Sequence, residues 1–351
     1  MHKIKFLTLL SLGLISFCLN AAQYKTISST DGLSSNAILC MYQDEIGHIY
    51  LGTTDGLNIW NGHEAYTFAA QDGYNYFFGN TIMNIYPFGE HRIYVRTHYG
   101  AAIVDIRTEE VKFYRELAFG RPIFQDDNTM LFLDRDFNIQ VFDIHTARLT
   151  QHRNAFIPKS VNHRRTLATK DGRLCIFTDK DSYLVSLDIQ GEDLSITGIA
   201  NLDIPCSYIS PCYDDSNCHY LITGDDRLCI FNADDCSIKE ITNIESMPDD
   251  TVTGILPSKD GFYISFVKEG LYVLGNGKNK LEPTEINHGI FSMIPDRKQP
   301  IIWIGTDCNG LMRYNMEDSD AYCITYDRLP HEIHMPVRSI YVDKERALWF
   351  G

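Results

Sequence analysis

A pattern that returns about every 43 residues constrains this chain more than any other feature of its sequence, and that period lies in the range of propeller-blade repeats. The fullest unit reads Asp44-Glu-Ile-Gly47-His-Ile-Tyr50-Leu-Gly52-Thr53-Thr-Asp55-Gly56-Leu57-Asn-Ile59-Trp60. It is a turn, a short strand, an Asp-Gly hairpin turn and a second strand. With the aromatic residue or its equivalent as anchor, the copies fall at Tyr50, Tyr94, Phe132, Cys175, Tyr220, Tyr263, Trp303 and Trp349. Helical repeats of similar length would need apolar residues at 3.6 spacing. These segments alternate instead, and Gly, Asp and Asn punctuate them. An all-β, seven-bladed β-propeller of four-stranded antiparallel blades is expected, with the first strands of a further blade after it.

In the first unit the four strands are Ala37–Tyr42, Ile49–Gly52, Leu57–Trp60 and Glu64–Phe68. The run Val337-Arg-Ser-Ile-Tyr-Val-Asp343 parallels Ile38-Leu-Cys-Met-Tyr-Gln-Asp44, and Leu348-Trp349-Phe-Gly351 parallels the second strand. The sequence therefore stops inside a second strand. A natural end there would expose an unpaired sheet edge, so a fragment of a longer protein is expected. The domain reading is 1–22 leader, 23–326 propeller, and 327–351 the start of a next blade or second propeller. Arg-Leu-Cys-Ile-Phe occurs at both 173–177 and 227–231, before one hairpin and after another. This is strand composition recurring, not the repeat.

Residues 1–22 have the proportions of a secretory signal: Lys3 and Lys5, an apolar stretch from Phe6 to Leu19, then small residues at Ala21-Ala22. The stretch is shorter than the roughly 20 residues that span a bilayer. Phe17 before Cys18 argues against lipidation. An exported, periplasmic body is expected. The formal net charge is −15, and removing the leader makes the rest more acidic still. Such a surface repels phosphate backbones, which argues against nucleic acid as a partner. Beyond Cys18 an odd number of cysteines remains from the ten in the chain. Cys206, Cys212 and Cys218 match no zinc spacing, and no Cys-x-x-Cys occurs. Packing is expected for most, with room for one disulfide within 206–236.

Asp31-Gly-Leu-Ser34-x-Asn36-x-Ile38, Asp44-x-x-Gly47-x-Ile49-Tyr50-x-Gly52-Thr53 and Gly56-Leu57 together resemble the two-component regulator propeller repeat. Trp303-Ile-Gly305-Thr306 with Gly310-Leu311, and Leu348-Trp349-x-Gly351, match its strand motif. The resemblance weakens between about residues 120 and 245, and Tyr50 and Tyr94 stand where that family usually has Trp. It implies the periplasmic sensor region of a hybrid two-component histidine kinase, anchored in the inner membrane. Such a region detects an oligosaccharide and signals through domains of the same polypeptide that lie outside this chain. Further propeller and signalling domains, and a homodimer, are the partners it implies.

Ligands on propellers are held by loops on rigid sheets. The candidate loops contain Tyr76 and Phe77, His98 and Tyr99, Arg121, and Arg164 with Arg165. Aromatic faces suit sugar rings, and guanidinium groups suit carboxylate or sulfate, so the Arg pair hints at an anionic sugar. The competing reading packs the aromatics between blades and pairs the arginines with Asp and Glu. Gly52, Gly56, Gly305 and Gly310, with Thr53, Thr306, Trp303 and Trp349, are expected to serve the scaffold, the glycines through positive-φ turns. No catalytic residue, cofactor or metal is assigned. A propeller glycosidase or lyase, and a purely protein-binding propeller, are the alternatives. Ser258-Lys-Asp260-Gly faintly resembles a sialidase Asp box but reads as a hairpin turn. His331 and His334 are a weak metal signal.

Overall fold

The computed structural model describes residues 24–68, 80–89, 91–117, 121–125, 129–134, 136–152, 157, 161–169, 171–190, 193–214, 216–316, 340–342 and 348–350. The chain opens on β1 (Tyr24–Ile27). Blade 1 is β2 (Ile38–Gln43), β3 (Ile49–Thr53), β4 (Gly56–Trp60) and β5 (Ala65–Thr67). Blade 2 is β6 (Ile82–Phe88), β7 (Arg92–Thr97), β8 (Ala101–Asp105) and β9 (Val111–Tyr114). Blade 3 is β10 (Arg121–Gln125), β11 (Thr129–Leu133), β12 (Ile139–Asp143) and β13 (Arg148–His152). Blade 4 is β14 (His163–Ala168), β15 (Leu174–Thr178), β16 (Ser182–Gln190) and β17 (Asp193–Asn201). Blade 5 is β18 (Cys206–Ile209), β19 (Cys218–Thr223), β20 (Arg227–Asn232) and β21 (Ile238–Asn243). Blade 6 is β22 (Val252–Ser258), β23 (Gly261–Phe266), β24 (Gly270–Gly275) and β25 (Glu282–Pro283). Blade 7 is β26 (Ile290–Pro295), β27 (Ile301–Thr306) and β28 (Leu311–Asn315).

The fourth strand of blade 7 is β1, antiparallel to β28 with Ile27 opposite Leu311. This strand closes the ring, so the edge that a last blade would expose is paired. Seven four-stranded antiparallel sheets make a seven-bladed β-propeller. The separate β29 (Ile340–Val342) and β30 (Leu348–Phe350) pair with Tyr341 opposite Trp349, the register Tyr42 and Tyr50 show in blade 1. Among the described residues no helix is long and apolar enough to cross a membrane.

The core is divided among the seven gaps between neighbouring blades, each filled by its own apolar cluster. Second strands are covered on both sides, and β3, β15 and β27 are buried at every residue. That is why they read as continuous apolar runs. Outer strands face water, and β21 is mostly polar. Tyr50, Tyr94, Cys175, Tyr220, Tyr263 and Trp303 each pack in the gap toward the next blade. Blade 3 departs from expectation. Leu131 takes the anchor's place in the gap toward blade 4, while Phe132 points back toward blade 2, its ring 5.7 Å from that of Tyr94. A slip of one residue along a strand changes the face, and the larger ring drew the alignment off by that step.

The repeat's Thr closes the turn between second and third strands. Thr53 Oγ1 donates to Gly56 O at 2.9 Å and Thr306 Oγ1 to Gly310 O at 2.8 Å. Thr97, Thr178 and Thr223 repeat the bond in blades 2, 4 and 5. Each gives a buried Thr hydroxyl its partner, and in blades 2, 4 and 7 the Thr backbone N–H donates to the same carbonyl. Gly56 and Gly310 have φ of 102° and 77° and serve the turns as expected. Gly52 and Gly305 do not; they lie in extended strands where the next blade comes close. A Cβ at Gly52 would stand 2.4 Å from Cys40 Sγ and 2.8 Å from Ile82 Cγ2. At Gly305 it would stand 2.5 Å from Ser292 Oγ and 2.8 Å from Ile38 Cγ2. Ser258 and Gly261 form a plain hairpin turn between β22 and β23.

Candidate functional site

The first strand of every blade carries a β-bulge, and in all but blade 3 it falls at the start of the ladder. Its first residue pairs with the end of the second strand, the next residue is left out of the ladder, and pairing resumes one step on. The shift falls between Ile38 and Cys40, Ile82 and Asn84, His163 and Arg165, Cys206 and Tyr208, Val252 and Gly254, and Ile290 and Ser292. In blade 3 it lies deeper in the ladder, between Pro122 and Phe124. Bulges twist a strand and re-aim its side chains, and they recur beside functional sites. Here they ring the entrance of the channel around which the first strands stand.

In blade 4 the bulged residue is Arg164 and the residue after it is Arg165. Sequence reading placed both in a loop; the structure places them in β14. Arg164 is exposed, and its Nε donates to Cys206 O, at the start of blade 5's first strand, at 3.3 Å. Arg165 lies opposite Phe177, whose ring fills the gap toward blade 5. It is half-buried, and its side chain makes no hydrogen bond or ion pair among the described residues. A guanidinium withdrawn partly from water with its donors open is poised for an acceptor.

Blade 5 supplies its surroundings. Tyr208 stands one residue after that blade's bulge, in the position Arg165 holds in blade 4. Tyr213, from the loop between β18 and β19, packs against the cluster between blades 6 and 7. Burial pushes both phenols up from their ordinary range, and the Arg165 charge pulls against that in each. His219 is buried in β19 with Nδ1 2.9 Å from Ser210 O. Burial lowers its pKa, the Ser210 carbonyl works the other way, and the Arg165 charge adds to the lowering. At neutral pH the imidazole is therefore neutral, with Nδ1–H donating to Ser210 O. One fixed cation among two phenols and a neutral imidazole presents donors and aromatic faces to an anionic, ring-bearing ligand.

The other candidates lie elsewhere. His98 and Tyr99 form the exposed turn after β7 in blade 2, where Tyr99 N donates to Thr97 Oγ1 at 3.2 Å. Turns after second strands and starts of first strands share one face, because Ile82 pairs with Thr97 as His163 pairs with Thr178. His98 and Tyr99 therefore share that face with Arg164 and Arg165. Arg121 opens β10 opposite Leu133. Tyr76 and Phe77, like His331 and His334, fall outside the described residues. Tyr208, Tyr213 and His219 were missed by sequence reading. Among the described residues no group of three or more His, Cys, Asp or Glu side chains could hold a metal ion. Cys206, Cys212, Cys218, Cys229 and Cys236 are all free thiols, so the one bridge for which 206–236 had room is not formed.

Residues 32–55 match the family model described as two component regulator propeller. The extracellular domain of a putative hybrid two component system from B. thetaiotaomicron superposes with a TM-score of 0.59 at 18% identity, over 93% of this chain and 46% of that one. A second such extracellular domain from the same organism gives 0.59 at 17%, over 94% and 44%. Virginiamycin B lyase from Staphylococcus aureus gives 0.56 at 10%, over 84% and 99%. No curated protein sequence matches the chain. At these identities the likeness is one of fold, and the chain spans less than half the length of the two extracellular domains.

Proposed function

We propose, from a seven-bladed propeller that carries the two-component regulator propeller repeat over residues 32–55, that the chain is the ligand-sensing part of a two-component signalling protein. It works in the periplasm, takes an oligosaccharide bearing a carboxylate or sulfate, and passes occupancy to a kinase in the same polypeptide. One observation carries the ligand class: Arg165 is a half-buried cation without a hydrogen bond or ion pair among the described residues, beside Tyr208 and Tyr213. A carboxylate or sulfate would accept from its planar fork, and a sugar ring would stack on a phenol face. Arg164 is held by Cys206 O and widens the positive mouth. The repeat match over residues 32–55 and the likeness to extracellular domains of putative hybrid two component systems support the sensor role.

Binding without turnover is the behaviour this reading requires. Calorimetry of the exported region against acidic and neutral oligosaccharides tests it, with chromatography of each mixture after prolonged incubation. Saturable binding of an acidic oligosaccharide recovered intact supports sensing. Cleavage of the sugar would replace it with the enzyme reading.

A further inference from the structure

The anchor position of blade 4 carries a thiol, Cys175, where blades 1, 2, 5, 6 and 7 carry Tyr or Trp. It is fully buried in the gap toward blade 5. A second thiol, Cys236, enters the same gap from the turn between β20 and β21 of blade 5, where it sits at φ 61° and packs against the cluster that holds Cys175. The two thiols are close enough to act on each other. Arg173 Nη2 lies 3.7 Å from Cys236 Sγ. Cys175 has no such donor, and burial holds its thiol well above the ordinary range.

We infer that Cys175 and Cys236 are the site of a disulfide that links blade 4 to blade 5. The half-exposed Cys236 reacts first, because an oxidant can reach its sulfur while Cys175 is fully buried. It attacks a disulfide oxidant, of the protein or low-molecular-weight class, forming a mixed disulfide and releasing one thiolate. Cys175 then gives up its proton and attacks Cys236 Sγ, displacing the second thiolate. Two protein thiols are oxidised to one disulfide, and one oxidant disulfide is reduced to two thiols. The bridge would span roughly 60 residues of chain and restrain two blades that otherwise meet through apolar packing.

The test is non-reducing peptide mapping of the whole chain before and after incubation with oxidised glutathione, with melting temperatures in the presence and absence of reductant. The expected result is a Cys175–Cys236 linked peptide and a melting temperature that falls by several degrees on reduction. Cys236→Ser should lose both the linked peptide and the response to reductant, whereas Cys212→Ser should keep both. Free thiols at both positions after oxidation, or a different pairing, would overturn the inference. The map on the unmodified chain decides this even if a variant folds poorly.

Discussion

Gln43 in the first blade and Asp296 in the seventh meet at 2.8 Å, Gln43 Nε2 donating to Asp296 Oδ2. The backbone N–H of Arg297 returns a bond to Gln43 Oε1 at 2.9 Å, and Trp303 Nε1 donates to the same Asp296 oxygen at 2.9 Å. The clasp lies in the gap that β1 closes from outside by completing blade 7. The ends of a seven-blade ring are thus held twice, by strand pairing at the rim and by a charged hydrogen-bond network further in.

Breaking the clasp should loosen the whole ring. Gln43→Ala leaves the partly buried Asp296 carboxylate one donor short, and a lost bond to a charged group costs about 1.5–3 kcal/mol. Urea denaturation should show this as a lower midpoint. Gln43→Glu should be worse, since it places a second carboxylate against the first.

The strand glycines should be intolerant for a steric reason. Gly305→Ala puts a methyl against Ile38, including its carbonyl oxygen at 3.0 Å, and Gly52→Ala puts one against Ile82. Overpacking of this kind costs about 1–3 kcal/mol. Gly305 should be the more costly, because one of the crowded atoms is backbone. Circular dichroism melts of the two variants would rank them.

Stability should fall in acid through Asp296. Partial burial works against its ionisation, but the bonds from Trp303, the Lys298 N–H, Gln43 and the Gln299 N–H outweigh it and hold the carboxyl below its usual value of 3.8. A group depressed in the folded state stabilises above its unfolded pKa and loses that contribution as pH falls through the folded value. The loss should therefore set in below about pH 4. Asp105, Asp179 and Asp250 shift the same way, their turn N–H donors outweighing slight burial. Asp296→Asn should thus shallow the acid limb of a stability–pH curve without abolishing it.

Much of this architecture was legible because a blade is a local object. Its turn residues, its Thr at the end of the second strand and its two-residue alternation all lie within one period. The strands expected for the first unit differ by a residue or two from those found. What was not legible depends on neighbours. The slip at Phe132 reflects which gap a ring enters, and that is decided by Tyr94 in another blade. The role of Gly52 and Gly305 arises from the approach of the next blade, which no local turn rule describes. Arg165 was picked out by its chemistry, but in a loop. The bulge that re-aims it, and the Tyr208, Tyr213 and His219 around it, come from pairing register and from blade 5, which only folding brings near.

The most direct test of the account is calorimetric titration of the propeller and its Arg165→Gln variant with one acidic oligosaccharide and its neutral counterpart. The account predicts that the acidic ligand binds the unmodified protein more tightly, and that Arg165→Gln weakens it at least about tenfold, as loss of a charge-assisted bidentate contact should. Binding of the neutral ligand should change little, and the melting temperature of the unliganded protein should be unaltered. Equal affinity of the variant for the acidic ligand would contradict it.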